Sequence, residues 1–385
     1  MENYSKGYVG DSETYTSFEK LPLVDEYRFI RKNFHSAWVL YVLLFRILSL
    51  KNPLSEISAY WSNIKVKRVN EYDKPILYPQ YVHFKSELIQ KKPLVSVIIP
   101  TLNRYQYLKD VLRDLERQAY QHFEVIIVDQ SEPFQREFYD DFELELKVVH
   151  QTEKALWLAR NTAIKIAKGS IILLSEDDVR IGNDWVFQHL KCLDFFDAKI
   201  SAGVFYPEGK KIPPESDYFK IASQFATGNA ALYKSVFLEL GLFDRQFEKQ
   251  RMGDGEFGLR IFLKGLKSIS NPFASCIDIK ASEGGLREIG SWDAFRAKKW
   301  LDPRPIPSVV YLYRKYYGKK AARLALLKTV PSSIMPYKYK RNSYLMLLGI
   351  VFSFFLLPLV LWQVSKSWKS ASVKLKEGAK IEELG

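Results

Sequence analysis

Cysteine is nearly absent from this chain. Cys192 and Cys276 are its only two in 385 residues, which excludes a disulfide framework and a Cys-x-x-Cys metal or redox pair. A reducing compartment is the expectation. Histidine is also scarce, with five residues and none beyond His189. The N-terminal residues are polar and mixed in charge, with no cleavable apolar segment, so no secretory leader is expected. There is no internal repeat and no low-complexity tract. Charge is missing altogether from the stretch between Arg341 and Lys366.

What is present narrows the class further. An apolar fraction of 47% is that of a globular protein and not of a disordered one. The formal net charge of +13 allows nucleic acid, an anionic membrane or anionic substrates as partners. Lys338, Lys340 and Arg341 precede the uncharged run, and Lys366, Lys369, Lys374 and Lys376 follow it. Basic residues on both flanks of an apolar run favour lipid headgroups, and no nucleic-acid partner is expected. The run "NSYLMLLGIVFSFFLLPLVLWQVS" exceeds the roughly 20 residues that span a bilayer as a helix. Tyr344 and Trp362 suit its interfaces.

These features divide the chain. Residues 1–92 form an N-terminal extension, in which "AWVLYVLLFRILSL" at 37–50 is too short to span comfortably and is broken by Arg46. It is expected to be an interfacial or a core-packing helix. A central domain covers 93–305, a basic connector 306–342, a transmembrane or membrane-anchoring helix 343–365, and a basic tail 366–385.

Within the centre, strand and helix patterns alternate. "LVSVIIP" (Leu94–Pro100) and "FEVIIVD" (Phe123–Asp129) read as buried strands. Helical spacing at Leu108, Val111, Leu112 and Leu115 follows the first, with Asn103 as its expected cap. "KVVHQ" is a short third strand, "LWLARNTAIKIAKG" a helix stopping at Gly169, and "SIILLS" a fourth strand. The order β-α-β-β-α-β implies an α/β fold with an open, mainly parallel sheet and helices on both faces. Ligands of such sheets lie beyond the carboxyl ends of the strands. Thr101, Asn103 and Arg104 stand there after the first strand, Asp129 after the second, and Glu176, Asp177 and Asp178 after the fourth.

Three adjoining carboxylates repel one another unless a cation offsets them. Mg²⁺ or Mn²⁺ takes hard oxygen ligands, with Mg²⁺ typically held by one or two carboxylates plus substrate phosphates. The acidic cluster therefore points either to a metal–diphosphate site or to a solvated turn capping the next helix. Asp129 either caps the turn "DQSEP" or accepts a hydrogen bond from a base or ribose.

"VSVIIPTLNRYQYLKDVLRDLERQAYQHFEVIIVDQSE", "ARNTAIKIAKGSIILLSEDDV", "TGNAALYKSVFLELGLFDRQF" and "GDGEFGLRIFLKG" follow in this order. Their spacing resembles a family 2 glycosyltransferase of the GT-A fold over about Leu94–Arg296. The resemblance implies a Rossmann-like sheet that binds a nucleotide-diphosphate sugar, a UDP-sugar before others. Pro100, Thr101, Asn103 and Arg104 would form the nucleotide loop. Asp129 would read the base, although Gln130 stands where relatives often carry a second acid. Arg160 would lie near the nucleotide-sugar. Asp178 would be the main ligand of Mg²⁺ or Mn²⁺, with Glu176 in place of the usual first Asp and Asp177 near the ribose or sugar.

The same resemblance makes Asp254 the catalytic base, with Gly253 where relatives have Glu, and Glu256 as the fallback. Asn229 of "TGN" would face the acceptor side. Gly284, Gly285 and Arg287 of "EGGLREIG" would close over the diphosphate, and Asp278 stands about where relatives place a metal-binding histidine. "RAKKW" (Arg296–Trp300) departs from the Gln-x-x-Arg-Trp of processive members, which implies a non-processive enzyme.

The implied reaction is inverting transfer of a sugar to a hydroxyl of a saccharide acceptor. A lipid-linked acceptor at the cytoplasmic face of the cell membrane fits bacterial surface-polysaccharide synthesis. Two other classes stay open: a catalytically silent GT-A domain that scaffolds a membrane complex, and a nucleotidyltransferase. The second would want a Gly-rich loop that "PTLNRYQYLKD" lacks.

Overall fold

A computed structural model describes residues 21–69, 75–222, 225–281, 283–285, 293–339 and 342–385. Arg287, Lys340 and Arg341 lie outside these described residues. The chain divides into two compact units, Met1–Leu77 and Tyr78–Gly385.

The described part of the first unit holds helices α1 (Leu23–Asn33), α2 (Ser36–Leu48) and α3 (Pro53–Ser62). Asn52 starts α3 by accepting hydrogen bonds from the backbone N–H groups of Leu54 and Ser55, ahead of Pro53 in the first turn. Tyr27, Val39, Leu43 and Ala59 form a small core. Arg46, which breaks the apolar pattern of α2, is paired with Glu26 at 2.6 Å and Glu56 at 2.9 Å. Glu56 also accepts from the Tyr27 hydroxyl at 2.8 Å. One face of α2 thus packs as core, while Leu40, Tyr41, Leu44 and Leu48 on the remainder are exposed.

The second unit opens with the short helix α4 (Glu87–Gln90). Then come β1 (Val95–Thr101), α5 (Tyr105–Glu116), β2 (Phe123–Asp129), β3 (Leu146–His150), α6 (Leu156–Ile166), β4 (Ile171–Ser175), β5 (Val179–Ile181), α7 (Trp185–Phe195) and β6 (Ile200–Pro207). The order continues with β7 (Lys220–Ile221), β8 (Asn229–Tyr233), α8 (Ser235–Leu240), α9 (Gly253–Leu263), β9 (Ser268–Asp278), α10 (Pro307–Ser332), α11 (Ser343–Phe355) and α12 (Leu357–Glu377). The described strands form a nine-stranded sheet ordered β3-β2-β1-β4-β8-β6-β9-β5, with β7 on β9. β3, β2, β1 and β4 run parallel, as their sequence order predicts. Beyond them the sheet is mixed, because β8 returns antiparallel to β4 and to β6.

Strand alternation splits the core in two. Ile98, Ile126, Ile172 and Leu174 face α6, Phe237 of α8, Phe257 of α9 and Val310 of α10. Val97, Ile99, Val125, Ile127 and Leu173 face Leu108, Val111 and Leu112 of α5 and Trp185 and Leu190 of α7. Each such fully buried aliphatic side chain contributes about 1.5–3 kcal/mol through lost water contact. Because both faces are covered, the strand ends are the positions left for polar groups.

Two local expectations change. α5 has no side-chain cap. Asn103 instead adopts φ +54° and ties two loops, donating its N–H to Ser131 Oγ and accepting from Glu132 N. α6 stops at Ile166 and not at Gly169, because Glu124 and Ser96 capture the backbone N–H groups of Lys168 and Gly169.

The apolar run 343–365 is not one helix. α11 and α12 meet at Leu356 with a bend of 91°. Pro358 lacks an N–H, and its ring collides with a straight helix at the carbonyl of residue 354. No single described helix is long and apolar enough to cross a membrane, although the bent pair has the length and composition to do so. The basic connector is mainly α10, whose first turns enter the core at Val309, Val310 and Tyr311. The basic tail is largely the packed second half of α12, where Ser367 and Ala371 are buried.

Candidate active site

A cleft of about 340 Å³ opens at the carboxyl ends of β1 and β4. Its lining includes Thr101, Arg104, Arg160, Asp177, Asp178 and Asp254. Pro100, Glu176 and Asp278 also border it. Register explains the convergence. β1 pairs with β4 up to Ile98 and Leu174, so the chain beyond Ser175 turns out beside Thr101. β9 brings Asp278 to the same rim through its pairing with Val179.

The acids there are not equivalent. Asp177 and Asp178 share the Arg104 guanidinium, whose Nη1 lies 2.9 Å from the one and 3.1 Å from the other. Thr101 donates its hydroxyl to Asp177 at 2.7 Å, and Ala281 donates its N–H to Asp178 at 3.1 Å. Burial pushes the Asp177 carboxyl up to about 6, against the pull of Arg104. Glu176 is half-exposed, and desolvation in the cleft raises it as well. Arg104 is itself fixed, donating to the carbonyl oxygens of Glu283 and Gly284. Gly284 and Gly285 have φ of +68° and +62°, and a Cβ on Gly285 would fall 2.6 Å from Arg104 Cζ. Only glycine therefore lets this loop lie on the guanidinium.

Arg160 projects from α6 and is 1% exposed. Its Nε and Nη1 have no hydrogen-bond partner among the described residues. Its Nη2 lies 3.9 Å from Glu176 Oε1. Desolvation lowers the guanidinium to about 10, opposed by Glu176, Asp254 and Asp177. A buried cation with orphaned donors is costly unless an anion completes it.

Asp254 lies in the first turn of α9, exposed on the cleft. Its Oδ1 accepts the neighbouring Gly255 N–H at 2.8 Å. Gly253 replaces the expected Glu for a packing reason, since a Cβ there would meet the Trp157 ring at 2.3 Å.

Other predicted residues fall elsewhere. Asp129 is fully buried and accepts from the Tyr105 and Tyr139 hydroxyls and from Ser131 N. It braces the loop after β2, while Gln130 borders the cleft. Asn229 is fully buried, accepting from Trp185 Nε1 and His189 and donating to Ala274 O. Glu256 is also fully buried, paired with Arg260 at 3.1 Å and Lys315 at 2.9 Å. Neither lines the cleft, and both hold elements together. Sequence reasoning missed Arg251 and Lys280, which line it. Their only signal was proximity to Asp254 and Asp278.

No group of three or more His, Cys, Asp or Glu among the described residues converges as a self-sufficient metal site. The observed pair still suits a hard cation. Asp177 and Asp178 already focus on one positive charge, and one or two carboxylates plus phosphate oxygens is the usual Mg²⁺ arrangement.

Comparison with known proteins bears on the family and the fold. The model of the family Glycosyl transferase family 2 matches residues 96–241. The uncharacterized glycosyltransferase EpsJ of Bacillus subtilis (strain 168) is 32% identical over 102 residues, covering 26% of this chain and 29% of EpsJ. TuaG of the same organism, whose name assigns it to teichuronic acid biosynthesis, is 31% identical over 105 residues, covering 26% of this chain and 42% of TuaG. The chain thus spans under half the length of either relative. The structure of GalNAc-T7 with UDP, GalNAc and Mn²⁺ has a TM-score of 0.52 at 14% identity, covering 94% of this chain and 70% of that one. At that identity it shows the shared fold. Residues 96–241 of this chain are a glycosyl transferase family 2 domain, built on a GT-A sheet.

Proposed function

We propose that this chain transfers a sugar from a nucleotide-diphosphate sugar, a UDP-sugar before others, to a hydroxyl of a saccharide acceptor, with inversion and without processivity. The observation that carries the reading is Arg160, a buried guanidinium with two nitrogens that have no partner among the described residues, beside the acidic end of β4. A diphosphate supplies the oxygens that this group lacks, in the planar pairing that guanidinium favours. Arg104 and the Gly284–Gly285 loop lie on the same rim.

Asp178 and Asp177, with Glu176 and Asp278 beside them, would hold Mg²⁺ or Mn²⁺. When bound, such a cation offsets the charge that builds on a departing diphosphate. Asp254 would accept the proton of the acceptor hydroxyl. That oxygen forms a bond to the anomeric carbon as the bond to the diphosphate oxygen breaks, so configuration inverts. Holding both substrates in one cleft supplies orientation. TuaG supports a bacterial surface polysaccharide as the acceptor class. The apolar α11 supports attachment to a membrane, its cytoplasmic face in this reading, where a lipid-linked acceptor would be met.

The test is release of nucleoside diphosphate from a panel of nucleotide sugars with Mn²⁺. Asp254→Asn is expected to lower kcat by about 10²–10⁴-fold, as loss of a general base does, with donor binding retained. Arg160→Ala is expected to weaken donor binding. Equal turnover by wild type and Asp254→Asn would overturn the base assignment. The absence of thermal stabilisation by any donor would favour a silent scaffold.

A further inference from the structure

The apolar run and its basic flanks are the largest feature that sugar transfer does not use. α11 exposes Tyr344, Leu347, Val351, Phe352, Phe354 and Phe355, the last two 72% and 79% accessible. Leu361 and Trp362 extend this surface along α12. Trp300, 73% exposed, and Leu301 adjoin it, since Gln363 Nε2 donates to Trp300 O at 2.6 Å and Lys366 Nζ to Leu301 O at 3.1 Å. The end of "RAKKW", the segment that departs from the processive motif, thereby joins the surface.

Both ends of the run are docked on the same sheet domain. On the N-terminal side, α10 inserts Val309, Val310 and Tyr311 into the core, and Tyr311 donates its hydroxyl to Asp244 at 3.0 Å. On the C-terminal side, Lys374 Nζ donates to Gln246 O at 2.6 Å, Leu242 N to Glu382 O at 2.8 Å and Arg245 N to Lys380 O at 3.1 Å. Leu384 reaches the main core cluster. A segment anchored at both ends to one globular domain enters and leaves a bilayer by the same face. Its depth agrees. The 13 residues of α11 reach about 20 Å, against a hydrocarbon thickness of about 30 Å. At the bend, Leu356 N still donates to Phe352 O and Val360 N to Leu356 O. Backbone groups entering lipid need such internal partners.

Charge names the surface that receives it. From Pro303 to Lys376 the chain has 14 Lys and Arg and no Asp or Glu, although its net charge is only +13. Lys298, Lys299, Lys366 and Lys369 are exposed around Trp300 and Trp362. Aromatics and lysines rimming an apolar face match an anionic headgroup layer.

We infer that α11, the start of α12 and Trp300–Leu301 form a re-entrant wedge that inserts into one leaflet of an anionic bilayer, with both flanks on the side of the catalytic domain. This rests on the membrane attachment proposed above and not on the sugar-transfer reading. The full chain should float with phosphatidylcholine–phosphatidylglycerol vesicles and about tenfold less with phosphatidylcholine alone. A Phe354→Glu, Phe355→Glu double variant should lose flotation about tenfold or more, with its melting temperature unchanged because both rings are exposed. Lys338→Cys and Lys369→Cys, made singly, report topology in sealed right-side-out and inverted membranes from producing cells. Cys192 and Cys276 are buried and should stay silent. Both introduced thiols are expected to react with an impermeant maleimide from the domain side only. Labelling from opposite sides would make the run a span, overturning the wedge while leaving attachment intact. Failure to float would overturn both. A double variant that still floats but no longer self-associates would assign the face to a second copy and overturn the wedge.

Discussion

With one Arg104 nitrogen 2.9 Å from Asp177 and 3.1 Å from Asp178, two carboxylates depend on a single positive charge. That charge competes with any metal for the same oxygens. Arg104→Gln removes the competitor and leaves the acids facing each other. In chelator, the variant should lose about 3–5 kcal/mol of stability, as happens when one partner of a buried pair is deleted. Mn²⁺ added without donor should bind about tenfold tighter and restore stability by mass action. Calorimetric titration and melting curves check both, and weaker Mn²⁺ binding would make Arg104 a helper of the metal site and not its rival. Two residues apart on α9, Asp254 lines the cleft and Glu256 is a buried brace. Glu256→Gln should cost about 3–5 kcal/mol, because Arg260 and Lys315 lose a fully buried counter-charge. Turnover per folded molecule should stay within about twofold of wild type. A large loss of turnover at unchanged stability would return Glu256 to the reaction.

α7 is fastened to the sheet by a polar node as well as by apolar packing. His189 is fully buried between Ser201 of β6 and Asn229 of β8, each 2.9 Å away, and burial pushes its imidazole down to about 4. The unfolded ring has a pKa of about 6.5. Between those values the unfolded chain holds the extra proton, so this contribution to stability is complete above about pH 6.5 and is lost as pH falls toward 4. The slope should approach 1.4 kcal/mol per pH unit near pH 5. Urea melts at pH 7 and 5 should show the wild type losing about 2 kcal/mol more than His189→Gln. Equal losses would mean that the ring titrates normally. The same elements show what the sequence could reveal. Apolar runs and strand-end polarity identified β1, β2 and β4 and the acids beyond them, because period and punctuation are local properties. Asp129, Asn229 and Glu256 had the right residue types for a site, but partners up to 60 positions away, such as Tyr316 for Glu256, turned them into braces. Arg160 was legible only as a motif letter. Its orphaned nitrogens follow from the packing of α6, which no local pattern encodes.

At the scale of the molecule, the C-terminal segment is a strap across the catalytic unit. It leaves the core at the end of α10, forms the bent apolar pair, and returns along α12 to the loop after α8. Gly378 and the residues beyond it make that return. Lys380 N donates to Asp244 Oδ1, and Gln246 Nε2 donates to Gly378 O, both at 2.9 Å, while Glu382 is salt-bridged to Lys165. Asp244 meets Tyr311 and Lys315 of α10 as well. One carboxylate thus joins the outgoing and the returning chain. Deleting residues 379–385 removes the backbone partners of Leu242 and Arg245 and the buried Leu384 side chain. The expected loss is about 2–3 kcal/mol, or a melting temperature lower by about 5 °C or more. Flotation on anionic vesicles should persist, because the apolar surface is untouched. The return strand of the strap should instead loosen, read as faster amide exchange along the second half of α12 relative to β1 and β2. Unchanged exchange there, with unchanged melting, would show that α12 holds to α10 by itself and that the tail does not fasten it.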